Sequence, residues 1–169
     1  FFNYPELYDR LIVLDGWSKT YCMTGWRLGW SVWPKQLVNH VIKFCVNNHS
    51  CVNAAVQYGG VAALDGPENE LHNMIEKFSL RRKLIYDGLN SINGVKCSLP
   101  GGAFYAFPNV KGTGMSGEEF SNKCLHKAGV AIVPGASFGN FATDYVRFSF
   151  AASRENISKA IEKIDKILK

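Results

Sequence analysis

The 169-residue sequence contains no apolar run close to the roughly 20 residues that a membrane-spanning helix needs, and no charged-then-apolar signal segment opens it. Its five cysteines are odd in number and scattered, without a C-x-x-C pair, and its four histidines are equally dispersed. These absences argue against a disulfide framework and against a zinc site. We therefore expect an intracellular, cytoplasmic protein with no bound metal and no membrane partner.

The charge balance also limits the choice of partners. The formal net charge is +5, which alone would allow affinity for nucleic acid or for small anions. The basic residues, however, alternate with acidic ones, as in the C-terminal RENISKAIEKIDKILK, and form no stripe. The sequence therefore favours solvated helix faces and no nucleic-acid partner. With 47% hydrophobic and 20% charged residues, the chain should fold around a core.

Short apolar segments alternate with stretches of helical periodicity, which predicts an α/β chain. The predicted strands are LIVLD, RLGWSVW, a hairpin-like pair of VKCSL and AFYAF around a P-G-G turn, VAIV and YVRFSF. Helices are predicted from Pro34 onward, in CVNAAVQYGGVAALDGP, over about 68–92, after a Ser116–Glu119 capping box, and at the C-terminus. The second of these helices is nearly apolar all round, so we expect it to be buried on most sides, inside something larger than this chain. Residues 93–169 should form an α+β unit with its own core, and the glycines of the P-G-G and V-P-G loops should have positive φ.

The segment SKTYCMTGWRLGW holds a lysine and an arginine eight positions apart, between two predicted strands. Lys19 is either an ordinary solvated lysine or a nucleophile that forms a Schiff base with an aldehyde. Pyridoxal phosphate carries such an aldehyde together with a dianionic phosphate, and the planar fork of Arg27 is suited to bind that phosphate. The spacing is compatible with both residues reaching one cofactor.

Arg147 lies in the predicted strand YVRFSF. Alternation along the strand places Val146, Phe148 and Phe150 on one face and directs Arg147 to the other. The arginine is therefore predicted to face away from the core, as an ordinary solvated strand residue would.

The segment LDGWSKTYCMTGWRLGW resembles the lysine loop of the class I and II aminotransferases, the fold-type I pyridoxal-phosphate enzymes. PGGAFYAFP, AGVAIVPGASFG and DYVRFSFAAS resemble later segments of that family in the same order, so the likeness covers nearly the whole chain. The resemblance implies that Lys19 is the catalytic Schiff-base lysine and that Arg27 binds the cofactor's phosphate. It implies equally that Arg147 binds the α-carboxylate of the substrate.

The resemblance also implies a domain organisation. Members of the family are more than twice this long, so we expect a C-terminal fragment of the fold-type I aminotransferase fold. Residues 1–78 would be the C-terminal part of the large pyridoxal-phosphate-binding domain, residues 79–169 would be the small α+β domain, and the long helix would bridge the two. The fragment alone should be inactive, because the other cofactor contacts would lie upstream of Phe1. Gly16 stands where some members carry a hydroxyl residue for the phosphate.

The implied activity is transfer of an amino group from an amino acid to a 2-oxo acid by a homodimer, as part of amino-acid metabolism. Two alternatives stay open: an aminotransferase-like sensor domain of a transcription regulator, and a pyridoxal-phosphate lyase on the same fold. In one branch of the family an arginine in the region after the lysine loop binds the distal carboxylate of the substrate. No arginine lies between Arg27 and Arg81 in this chain, so the sequence does not support a preference for aspartate.

Overall fold

The computed structural model describes residues 1–169, which divide into two compact units, Phe1–Leu71 and His72–Lys169. The division falls near the start of a long helix, α4 (Asn69–Ser91), and the domain boundary proposed from the sequence, after residue 78, lies within the same helix. No helix of the chain combines the length and the apolar character that a membrane crossing requires.

The first unit is built on a two-stranded antiparallel sheet. Strands β1 (Val13–Gly16) and β2 (Gly29–Val32) pair in a register that sets Val13 opposite Val32 and Gly16 opposite Gly29. Both strands were predicted from their apolar and aromatic residues, and both are confirmed. A one-turn helix, α1 (Trp17–Thr20), follows β1 directly.

Two longer helices complete this unit. Helix α2 (Val38–His49) begins later than the predicted start at Pro34, because residues 34–37 form a turn closed by the Leu37 amide donating to the Pro34 carbonyl at 2.8 Å. Helix α3 (Ala54–Asp65) begins after Asn53, whose side chain accepts from the Val56 amide. Gly60 is the only residue of α3 buried within residues 1–169, so the expected burial of this helix inside something larger stays a prediction.

The second unit contains a three-stranded antiparallel sheet. Its order is β3 (Tyr105–Ala106), β5 (Val146–Ser149), β4 (Val133–Pro134), with β5 in the centre. The predicted hairpin of VKCSL with AFYAF is wrong: β3 pairs with β5, and the isolated bridge of Lys96 is made with Asn109, two residues beyond AFYAF. Both edge strands are also shorter than predicted.

Helices cover the core face of this sheet. Helix α5 (Gly117–Lys123) begins with the predicted capping box, in which Ser116 and Glu119 satisfy each other's backbone amides. A wider turn, Cys124–Ala128, extends α5 to Gly129, and α6 (Arg154–Leu168) closes the chain. The predicted independent core is confirmed. Its fully buried side chains include Leu89, Val110, Phe120, Val146, Phe150 and Ile164.

Candidate cofactor and carboxylate sites

Lys19 lies in the connection that joins β1 to β2. The connection is closed at its base, where the Trp17 amide donates to the Leu28 carbonyl at 3.3 Å. A Cβ at Gly16 would come within 3.0 Å of that carbonyl oxygen, so glycine permits the close approach of the two strand ends. The chain turns at once into α1, which fixes the backbone of Lys19 one turn after the strand. The Lys19 side chain is exposed.

Two glycines of α3 allow that helix to pack closely against the connection between β1 and β2, which carries Lys19. The indole Nε1 of Trp17 donates to the Gly60 carbonyl at 3.0 Å. A Cβ on Gly60 would overlap the buried side chain of Leu28 and would lie 3.3 Å from the Trp17 ring. A Cβ on Gly59 would lie 2.5 Å from the ring of Trp26. These contacts were not predicted from the sequence, although the Gly-Gly pair inside a helical pattern was a signal of close packing.

Arg27 lies at the other end of the same connection. It follows a short 3₁₀ turn, Thr24–Trp26, and has a left-handed backbone with φ 54° and ψ 44°. Its guanidinium donates to the Thr24 carbonyl at 3.0 Å, and no carboxylate of the chain pairs with it. A left-handed non-glycine residue is uncommon and costs free energy, which makes this position a candidate for function.

The structure places Lys19 and Arg27 in one small loop. Helix α1, which carries Lys19, packs against the Thr24–Trp26 turn that precedes Arg27. The exposed residue Lys19 and the Arg27 guanidinium, which pairs with no carboxylate, form a donor set that fits a ligand with one electrophilic carbonyl and one phosphate. The residues of this loop therefore fit pyridoxal phosphate in chemical type.

Arg147 lies in the second unit, on β5. Val146, Phe148 and Phe150 are buried on one face of the strand, and Arg147 is half-buried on the opposite face, which confirms the alternation predicted from the sequence. The guanidinium carbon lies 4.4 Å from the ring centre of Tyr105 and 4.8 Å from that of Phe138. No carboxylate pairs with Arg147, so its N–H groups are available to an anion.

The glycine-rich loops beside Arg147 differ from the prediction. Neither the glycines of the P-G-G turn nor Gly135 of the V-P-G loop has positive φ; the left-handed positions there are Ala103, at φ 58°, and Gly139, at φ 131°. Gly135 is instead needed for space, since its Cβ would lie 2.6 Å from the Tyr145 carbonyl oxygen. Close packing therefore explains Gly135, whereas a Cβ at Gly101 or Gly102 of the P-G-G turn would meet no atom within 4 Å.

The two buried cysteines are poorly suited to nucleophilic chemistry. Burial raises the pKa of the Cys97 thiol, and it raises that of Cys124 to about 12. Both groups therefore stay protonated at neutral pH. The chain contains no group of three or more His, Cys, Asp or Glu side chains that could hold a metal ion.

Comparison with known proteins points to one family. The family model "Aminotransferase class I and II" matches residues 3–164. The chain is 40% identical over 162 residues to an aspartate aminotransferase of Pyrococcus horikoshii, covering 95% of this chain and 41% of that protein. It is 36% identical over 165 residues to aromatic-amino-acid aminotransferase 2 of Thermococcus litoralis, and this alignment covers 96% of this chain and 42% of that protein.

The structural comparison agrees with the sequence comparison. A crystal structure of an aromatic aminotransferase from Pyrococcus horikoshii superimposes with a TM-score of 0.92 and 36% identity, covering 95% of this chain and 43% of that one. The chain thus spans about two fifths of the length of these relatives. The chain belongs to the class I and II aminotransferase family, and over the aligned residues it has the fold-type I aminotransferase fold.

Proposed function

We propose that the protein containing this chain is a pyridoxal-phosphate-dependent aminotransferase that moves an amino group from an amino acid to a 2-oxo acid. The observation that carries the proposal is the loop between β1 and β2, which presents Lys19 beside the turn that ends at Arg27. This loop lies inside the region that matches the family. The sequence segment around it is also the one with the most specific resemblance to the family.

In this proposal Lys19 and Arg27 hold the cofactor. The Lys19 amine would hold the cofactor through its aldehyde carbon, with loss of water, and the Arg27 guanidinium, which pairs with no acidic side chain, would bind the phosphate. When bound, pyridoxal phosphate supplies an electron sink for negative charge at the substrate's α-carbon. Once the amino group of the substrate has displaced it from the aldehyde carbon, the free Lys19 amine would take the proton from the α-carbon as a general base and return it as a general acid.

Arg147 is proposed to bind the α-carboxylate of the substrate. Its position on the outer face of β5 and its lack of an acidic partner support this role. A guanidinium offers two parallel N–H donors to a carboxylate, which orients the amino acid as well as binding it. The names of the relatives include aspartate and aromatic aminotransferases, so the proposal extends to the amino-acid class and not to one side chain.

We also propose the domain organisation expected from the sequence. Residues 1–78 would belong to the cofactor-binding domain, and residues 79–169 would form the small domain. Residues 1–169 alone should be inactive, because only Lys19 and Arg27 are assigned to the cofactor within them. The exposed apolar side chains of α3, with Tyr58 at 80% and Leu64 at 59% exposure, support burial of this helix in a longer chain or in a homodimer.

The test uses the complete protein and two lysine variants. The cofactor-loaded protein is reduced with borohydride and digested, and mass spectrometry locates the cofactor. We expect it on the peptide containing Lys19, with loss in Lys19→Ala and retention in Lys43→Ala, which removes an exposed lysine of α2. Absence of any cofactor linked to Lys19 would contradict the assignment.

A second measurement identifies the reaction. Single amino acids are added without a 2-oxo acid acceptor, and the products are quantified. An aminotransferase should release the matching 2-oxo acid in an amount equal to the protein, because the amino group stays on the cofactor. Catalytic release of a different product would indicate the lyase, and binding without conversion of any amino acid would indicate the sensor.

A further inference from the structure

We propose that Tyr105 and Phe138 are positioning residues that clamp the guanidinium of Arg147 between two aromatic rings and so fix the direction from which it binds a carboxylate. This inference rests on the proposed function, in which Arg147 binds the α-carboxylate. Ring centres at 4.4 and 4.8 Å from the guanidinium carbon are both inside the range of about 6 Å for a cation–π contact.

The sheet brings the two rings to Arg147 from opposite sides. Tyr105 on β3 pairs with Ser149, two residues beyond Arg147, and therefore shares its face of the sheet. On the other side, Val133 of β4 pairs with Arg147 itself, and the chain then turns through Gly135–Phe138 to present the Phe138 ring. One edge strand, β3, thus contributes the Tyr105 ring, and the turn that follows the other edge strand contributes the Phe138 ring.

Further aromatic residues support both rings. Phe107 packs edge-on against Phe138, with centroids 5.8 Å apart, and stacks on Tyr145 at 5.3 Å with an interplanar angle of 10°. On the other side, the Phe104 ring lies 4.6 Å from that of Tyr105. A ring held by a second ring has fewer accessible rotamers, so the clamp is supported on both sides.

The clamp has a consequence for binding. A guanidinium donates its hydrogen bonds in its own plane, and in the proposed clamp the two rings cover its two faces and leave the edge of that plane as the route for a carboxylate. The rings also limit the rotation of the long arginine side chain, so less conformational freedom is lost when the ligand binds. Because no carboxylate of the chain pairs with Arg147, no internal ligand competes for that edge.

The experiment measures the preference of the cofactor-loaded full-length protein for a carboxylate over an uncharged amide. The probes are 3-phenylpropanoate and 3-phenylpropanamide, which differ only at the group that Arg147 would contact. Dissociation constants are measured by calorimetry for wild type, Arg147→Gln, Tyr105→Leu and Phe138→Leu. Tyr105→Phe and Phe138→Tyr, which keep the rings, are the matched controls.

We expect the preference for the acid to fall about two- to fivefold in each leucine variant, the size of one cation–π contact, and to persist in both controls. The ratio compares the dissociation constants of the two probes for the same variant, so a reduced fraction of folded protein does not alter it. Leucine variants with the wild-type ratio, alongside an Arg147→Gln variant that loses it, would overturn the clamp alone. An unchanged ratio in Arg147→Gln would overturn the carboxylate site and the clamp with it.

Discussion

Alanine in place of Gly60 should disturb the lysine loop, because the added methyl group points at buried neighbours. It would overlap the Leu28 side chain and lie 3.3 Å from the Trp17 ring, and Leu28 is only 8% exposed. Overpacking of this kind costs about 1–3 kcal/mol, whereas replacing glycine by alanine within a helix returns about 1 kcal/mol. The net effect should be a destabilisation of about 0–2 kcal/mol.

Gly59→Ala is the matched control on the same helix. Its methyl group would meet the Trp26 ring at 2.5 Å, but that ring is 49% exposed and can rotate toward solvent. The helical gain should then remain, up to about 1 kcal/mol. The two alanine variants should differ by about 1–3 kcal/mol in the stability of this unit, in favour of Gly59→Ala.

The assay compares thermal unfolding midpoints and cofactor dissociation constants of the two variants in the complete protein. Gly60→Ala should show the lower midpoint and the weaker cofactor binding, since Leu28 adjoins Arg27 and Trp17 lies two positions before Lys19. Equal midpoints and equal cofactor affinities would refute this prediction, because they would mean that the Leu28 side chain moves aside without a cost in free energy.

Three further predictions concern the second unit. Ser116→Ala removes the capping box with Glu119 and should lower the free energy of unfolding by about 1 kcal/mol in urea titrations; no change would mean that solvent caps α5 equally well. Leu89→Ala empties a fully buried site and should cost about 2–5 kcal/mol by the same assay; a cost below that of the cap would contradict the core assignment. Iodoacetamide at pH 9 should label the exposed Cys51 and spare Cys124, whose pKa of about 12 keeps it protonated until the chain unfolds; equal labelling rates in peptide mapping would refute its burial.

Features encoded in neighbouring residues were predictable from the sequence. The capping box at Ser116, the two strands of the first unit and the alternation around Arg147 all depend on side chains a few positions apart. The choice of Lys19, Arg27 and Arg147 came from local chemistry and from the family resemblance. Their roles stay predictions until the cofactor and the substrate are tested.

Features that depend on distant partners could not be derived in this way. AFYAF looked like one half of a hairpin, yet β3 pairs with β5, and nothing in its own residues specifies that partner. The position of Tyr105 and Phe138 against Arg147 follows from that pairing and was therefore also hidden. Helix α3 reads as buried from composition alone, but burial depends on which polypeptide covers it.

At Arg27 the left-handed backbone lowers the stability of the fold, whereas the side chain is proposed to bind the cofactor. At φ 54° a glycine would avoid the steric cost that an L-residue bears, which is on the order of 1 kcal/mol. Arg27→Gly should therefore make this unit slightly more resistant to unfolding while removing the guanidinium proposed to hold the phosphate. Laboratory evolution that rewards heat resistance alone would favour glycine here, and only selection for cofactor retention would keep the arginine.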